Sequence, residues 1–129
     1  MSSPAAVSVG VPPAVREVFQ AVDAKDAARF VSHLTPDAVF RYANNPPVTG
    51  HDAVQRAVAQ FFQAVKSLRH VVTATWAVDD MVFCKGEVDY VRHNGTPAGP
   101  FPFMNVFKMR DGLIAEYLIY VDISPLWQQ

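Results

Sequence analysis

The chain has 129 residues, half of them hydrophobic and 12% aromatic, with 11 basic against 12 acidic side chains and a formal charge of −1. That length and composition fit one globular domain and exclude a disordered chain, and the scattered charges leave no footprint for nucleic acid or an anionic membrane. The single cysteine, Cys84, excludes an internal disulfide and fits a reducing, cytoplasmic setting in which it serves as a small buried hydrophobe.

The opening MSSPAAVSVGVPP has no basic n-region and no long apolar stretch, and no 18-residue apolar run follows, so neither a secretory signal nor a membrane span is expected. Residues 1–12 read as a flexible arm and 13–129 as one domain. AVREVFQAVDAKD places Val15, Val18, Phe19 and Val22 at helical spacing behind Pro13, a residue tolerated in a first turn. Asp26 is placed to cap a short second helix, AARFVSHL, which Thr35-Pro36 ends. A short strand, AVFRYA, leads into the turn YANNPP. HDAVQRAVAQFFQAVKSL then carries Val54, Val58, Phe61, Phe62 and Val65 on one side and reads as the longest helix. Everything after it reads as sheet. HVVTATWAV and MVFCKGEVDYVRH flank the turn pair Asp79-Asp80, PFMNVFKMR and LIAEYLIYVDI flank Asp111-Gly112, and NGTPAGP reads as a mobile loop joining the two hairpins. The expected fold is α+β: a cone-shaped, curved mixed β-sheet wrapped around three N-terminal helices.

The order of elements, GHDAVQRAVAQFF after a turn, the hairpin FKMRDGLIAEYLIYVD and the ending YVDISPLW resemble the SnoaL-like, ketosteroid-isomerase-like branch of the nuclear-transport-factor-2-like superfamily, from about residue 13 onward. The resemblance implies a cystatin-like cone with an interior. The ketosteroid isomerase base matches Tyr42, and its two oxyanion donors match about Val18 and Pro102, so steroid isomerisation by that mechanism is not expected. Limonene-epoxide hydrolases offer a nearer likeness. Their Tyr-x-Asn matches Tyr42-Ala43-Asn44, and their Arg-x-Asp matches Glu87-Val88-Asp89, with Glu87 in place of the arginine and Ile119 in place of a second aspartate. By that likeness Tyr42, Asn44 and Asp89 hold the reacting water or substrate oxygen.

Alternation along the strands gives a second line of argument. CKGEVDYVRH carries Lys85, Glu87, Asp89, Val91 and His93 at odd positions and Cys84, Val88 and Tyr90 at even ones. Phe101, Phe103 and Asn105 alternate with Met104 and Val106, and Tyr117, Ile119 and Val121 alternate with Leu118 and Tyr120. A sheet apolar on both faces packs its helices on one and, most simply, a second copy of itself on the other. Assigning Val88, Tyr90, Met104, Val106, Leu118 and Tyr120 to that homodimer face turns Glu87 and Asp89 inward, among Phe61, Val65, Val91, Phe101, Phe103, Tyr117 and Ile119. The competing reading is an ordinary half-exposed strand with its charges in water. Two buried acids at i and i+2 would hold different protonation states, a route to a general base and a general acid. Tyr42, Asn44 and Asn105 would bind an oxygen between them, the competing role of Tyr42 and Asn105 being a satisfied core hydrogen bond.

His33, His51, His70 and His93 are widely separated and show no metal-ligand spacing, so no metal and no cofactor are expected. His93 shares the parity of Asp89 and could reach a cavity mouth. Trp76 and Trp127 read as core or interface anchors, and Asp122 as a structural acid. Two functions remain open. One is a cofactor-free isomerase, cyclase or hydrolase using Asp89, Tyr42, Asn44 and Glu87 on a small hydrophobic ligand, epoxide hydrolysis included; the other is a binding or dimerisation module without chemistry.

Overall fold

The computed structural model describes residues 7–128, and its first element, β1 (Val7–Ser8), falls inside the stretch expected to be a loose arm. Val7 and Ser8 pair antiparallel with Ala77 and Trp76, so part of that arm is sheet. Helix α1 (Pro13–Asp23) begins on the first-turn proline and buries Val15, Val18 and Phe19. Lys25 turns the chain with a left-handed φ of 56°, and Asp26 caps α2 (Ala27–Ser32) by accepting a 3.0 Å bond from the Arg29 N–H. Strand β2 (Leu34–Tyr42) starts at Leu34, ahead of the expected Ala38, because a residue before proline is driven to extended backbone. A register shift between Leu34 and Val39 accommodates Pro36, which has no N–H for a ladder.

After β3 (Val48–Thr49), helix α3 (His51–Ala64) stops short of the expected Leu68. Val65 is already extended, and the Lys25 ammonium donates to the carbonyls of Val65 (2.9 Å) and Lys66 (3.2 Å), holding the chain where it leaves the helix. Strands β4 (Ser67–Val78), β5 (Met81–Val91), β6 (Pro97–Arg110) and β7 (Leu113–Val121) form the expected meander, followed by a 3-10 turn at Ser124–Trp127. Most of NGTPAGP is not loop. Strand β6 begins at Pro97, and the tight turn before it is closed by Arg92 N–H to Thr96 O (2.9 Å) and by Asn94 accepting from Thr96. Among the described residues no helix is long and apolar enough to cross a membrane.

The seven strands run β1-β4-β5-β6-β7-β2-β3, all antiparallel except the β2–β7 pair, and the mixed sheet curls around the three helices. Its curvature has a local cause. Between Val72 and Ala74 the β4–β5 register slips by one residue, directly beside Gly86, and such a bulge bends its strand. A Cβ on Gly86 would collide with the Val71 carbonyl and come within 2.9 Å of the Phe103 ring, so only glycine lets the strands approach there. On the concave side Phe30 stacks on Tyr117 (5.5 Å, 23°), with Phe107 (4.4 Å) and Phe40 (5.5 Å) completing a solid aromatic core at one end.

Strand β5 faces the opposite way from the expected one. Cys84 pairs with Asn105, Gly86 with Phe103, and Asn105 with Ile119, and residues directly paired share a face. The even residues Val82, Cys84, Val88 and Tyr90 are therefore buried on the concave side, while Lys85, Glu87 and Asp89 lie exposed on the convex one. The physical reason is plain. Three ionisable side chains stay hydrated at no cost outside, whereas burying them unpaired would carry a heavy desolvation penalty. The outer face keeps Met104, Val106, Leu118 and Tyr120 but takes Trp76 and Phe83 in place of Val88 and Tyr90.

Gly86→Ala is expected to destabilise the fold by about 1–3 kcal/mol or more, the range for overpacking a filled site. Urea denaturation of the variant would measure it, and an unchanged midpoint would remove Gly86 from the account of curvature.

Candidate active site

Opposite the aromatic plug the cone holds a cavity of about 420 Å³, open at one side. Its walls come from α1 (Val22), α2 (Phe30), β2 (Phe40, Tyr42), α3 (Val58, Phe61, Phe62), β4 (Leu68, His70), β5 (Tyr90) and β7 (Ile119), with Trp127 at the rim. None of the described lining residues is Lys or Arg, so an anionic ligand would meet no counter-charge.

Two polar pairs face this apolar space. In the first, the hydroxyls of Tyr42 and Tyr90 lie 3.0 Å apart, with Phe61 wedged between the rings at 4.9 Å from Tyr42 and 5.8 Å from Tyr90. Burial pushes both phenols up. Tyr90 reaches about 12, burial being the largest cause, with the bond it shares with Tyr42 lowering it and the Asp23 carboxylate raising it. Tyr42 goes higher still, through burial first and then through Tyr90. Both are therefore neutral hydroxyls at physiological pH. One donates to the other, whose own O–H is left for a ligand.

The second pair joins Asp23, at the last residue of α1, to His70 on β4. The carboxylate lies 2.7 Å from the ring Nδ1 and also accepts the His70 backbone N–H at 3.1 and 3.2 Å. A carboxylate only accepts, so Nδ1 carries the hydrogen and Nε2 of the neutral ring keeps its lone pair. Among the described residues Nε2 has no protein partner. The ring is clamped by packing as well, tilted on Phe19 (5.4 Å) and edge-on to Phe103 (5.4 Å), and the His70 side chain is only 13% exposed. His70 pairs with Val88 and Leu68 with Tyr90, which makes His70 and Tyr90 diagonal neighbours on one face, roughly 7–8 Å apart. That distance separates the two backbones, and both side chains line the one cavity.

Of the residues singled out from sequence, Tyr42, Phe61 and Ile119 line this cavity. Glu87 and Asp89 do not, because β5 turns them to solvent. Asn44 sits exposed in the turn after β2 and borders a neighbouring polar groove instead. Phe101 and Phe103 lie behind Tyr90 and His70 as supports. Tyr117 is sealed in the aromatic plug, Val65 is buried beneath the C-terminal turn, and Val91 is half-buried at the end of β5. Asn105 lies below Ile119, 1% exposed, its Oδ1 without a partner among the described residues. His93 reaches the Gln63 carbonyl (2.6 Å) rather than the cavity. Tyr90, His70 and Asp23 carried signals that alternation and helical spacing contain. Asp23 stands one turn past Phe19 on the buried side of α1, and His70 falls between Leu68 and Val72 on the inward parity of β4.

The SnoaL-like domain family matches residues 15–117, and the chain belongs to that family. Solved structures agree on the fold. A Catenulispora acidiphila protein with a ketosteroid-isomerase-like fold, in complex with trimethylamine, superposes with a TM-score of 0.81 at 15% identity over 89% of each chain. A Jannaschia protein assigned as a SnoaL-like polyketide cyclase gives 0.77 at 17% over 88% of this chain and 85% of that one. An LEH-like epoxide hydrolase of M. tuberculosis gives 0.72 at 17% over 85% and 80%.

Removing one hydroxyl of the tyrosine pair should show coupling. Tyr42→Phe and Tyr90→Phe are each expected to destabilise, and the double variant by about 0.5–1.5 kcal/mol less than their sum, because the second change removes the group that the first left unpaired. A double-mutant cycle of urea melts reads this directly; strict additivity would mean that the two hydroxyls do not depend on each other.

Proposed function

We propose that this SnoaL-like protein is a cofactor-free enzyme that moves a proton on a small, uncharged, largely apolar carbonyl compound. The observation that carries this reading is that the Asp23–His70 pair and the Tyr42–Tyr90 pair open on one cavity. His70 Nε2 takes a proton from the carbon beside the carbonyl. The hydroxyl left free by the tyrosine pair donates to the carbonyl oxygen as it gains negative charge. Asp23 holds the ring in the basic tautomer and stabilises the imidazolium that forms, which makes it a positioning residue. Returning the proton to another carbon gives an isomerisation; attack of the same carbanion on a second carbonyl gives a cyclisation, the kind of activity assigned to the Jannaschia protein that shares the fold. The Tyr42-Ala43-Asn44 and Glu87-Val88-Asp89 likeness does not carry over to epoxide hydrolysis, because the acids stand outside the cavity.

The chemistry can be tested without the natural substrate. 2-Tetralone, a flat uncharged ketone, should exchange its α-hydrogens for deuterium in D2O faster with the protein than in buffer alone, as followed by NMR. His70→Gln and Asp23→Asn should each lower that rate by about 10²–10⁴, since one removes the base and the other lets an amide donate to Nδ1 and place the hydrogen on Nε2. Tyr42→Phe, which leaves Tyr90, should cost no more than roughly 10². Equal exchange by wild type and His70→Gln would end the proposal, and a protein that binds the ketone without exchanging it would be a binding module.

We also propose that a second copy covers the outer sheet face, where Trp76, Phe83, Met104 and Tyr120 form an apolar shallow and Tyr120 is 58% exposed. Tyr120→Asp should convert a dimeric mass to a monomeric one in light scattering at micromolar concentration. A wild-type monomer under those conditions would rule the dimer out.

A further inference from the structure

We propose that Trp127 is the partition that sets how long a ligand the cavity admits. Its indole is shared by three hollows: the site cavity of about 420 Å³, a pocket of about 270 Å³ under the C-terminal turn against Val65 and Arg92, and the groove of about 460 Å³ beside Asn44 and Asp122. Among the described residues Trp127 alone borders all three. The inference rests on the reading of the site cavity as a ligand site.

The partition has a fixed base and a free blade. Leu126 is buried, and the Arg92 guanidinium donates to the carbonyls of Leu126 (2.9 Å), Pro125 (3.1 Å) and Pro97 (3.0 Å), so the main chain of the turn is tied to the start of β6. Trp127 itself is 56% exposed, and among the described residues its side chain makes no hydrogen bond. Rotation about its two side-chain torsions therefore breaks packing contacts only and leaves the Arg92 ties in place. Swung one way, the indole joins the apolar cavity to the pocket beneath the turn; swung the other, it joins the cavity to the polar groove. Size selection thus resides in one aromatic side chain, with the hydroxyl pair and His70 unmoved behind it.

A series of 4-alkylphenols from 4-methylphenol to 4-nonylphenol tests this, since each is uncharged and carries a hydroxyl for the polar end of the cavity. By calorimetry, affinity for wild type should rise roughly fourfold per methylene until the tail meets the indole, and then level off. In Trp127→Ala the levelling should move to longer tails by several carbons, and in Trp127→Phe it should stay near the wild-type length. In a Trp76→Phe background Trp127 is the sole tryptophan, and its emission should shift at the tail length where affinity levels. A break at one length in wild type and Trp127→Ala, or emission unmoved by every bound phenol, would overturn the partition while leaving the ligand site standing. Failure of every phenol to bind wild type would overturn the ligand-site reading and the partition with it.

Discussion

Everything at the candidate site depends on how tightly the sheet curls. Tyr42 on β2 and Tyr90 on β5 are separated in the sheet by β6 and β7, so on a flat sheet their strands would stand roughly 14 Å apart at ~4.8 Å per strand. Their hydroxyls nevertheless lie 3.0 Å apart. Between them the ladder shifts register at Val88/Tyr90 on β5–β6, at Lys108/Met109 on β6–β7 and at Leu34/Val39 on β2–β7, irregularities that bend a sheet, and the two long side chains reach across what remains. The helices then fill one end of the cone, where Phe30 meets Tyr117, and cannot fill the other, where Phe61 stands between the two phenols. Curvature makes the hollow, and the two tyrosines span it.

Within that hollow, protonation states are divided by environment. The phenols are buried enough to remain neutral, Tyr90 being held at about 12. Asp23, behind the ring and 31% exposed at its side chain, shares its charge with water and the two N–H groups of His70. On the proposed reading, a cavity that offers the imidazole, a free hydroxyl, Asn45 and Gln60 and, among its described lining, no Lys or Arg favours substrates that are uncharged at rest and become anionic only while reacting, the circumstance in which preorganised donors act most strongly.

Much of this was legible in the residues. Three helices, four long strands and the Asp26 cap follow from periodicity and turn chemistry, and the inward set Phe101, Phe103 and Asn105 follows from alternation on β6. The face of β5 did not, because period-2 alternation separates two sets without saying which is inside; only the pairing of Cys84 with Asn105 and of Gly86 with Phe103 decides that. Assigning Val88 and Tyr90 to a dimer face turns the acids of β5 inward, against the simpler rule that unpaired charges stay hydrated. The Asp23–His70 pair was hidden for another reason. Its members are 47 residues apart, on a helix and a strand, and nothing local to either announces the other. Depth along the cone was equally hidden: Tyr117 and Ile119 share a face, yet one is in the plug and the other on the cavity wall.

The margins of the sheet carry one more consequence of Asp23. Outer strands of open sheets are templates for adhesion between molecules, because their unpaired N–H and C=O groups invite another chain. Here β1 covers Trp76 and Ala77 at one margin, and farther along β4 the carboxylate of Asp23 occupies the backbone N–H of His70. At the other margin β3 covers Val39 and Phe40, and Pro36 contributes no N–H. The side chain that orients the imidazole thus also denies a foreign strand one of its docking points, so the defence against fibril-like stacking and the setting of the ring share a single carboxylate.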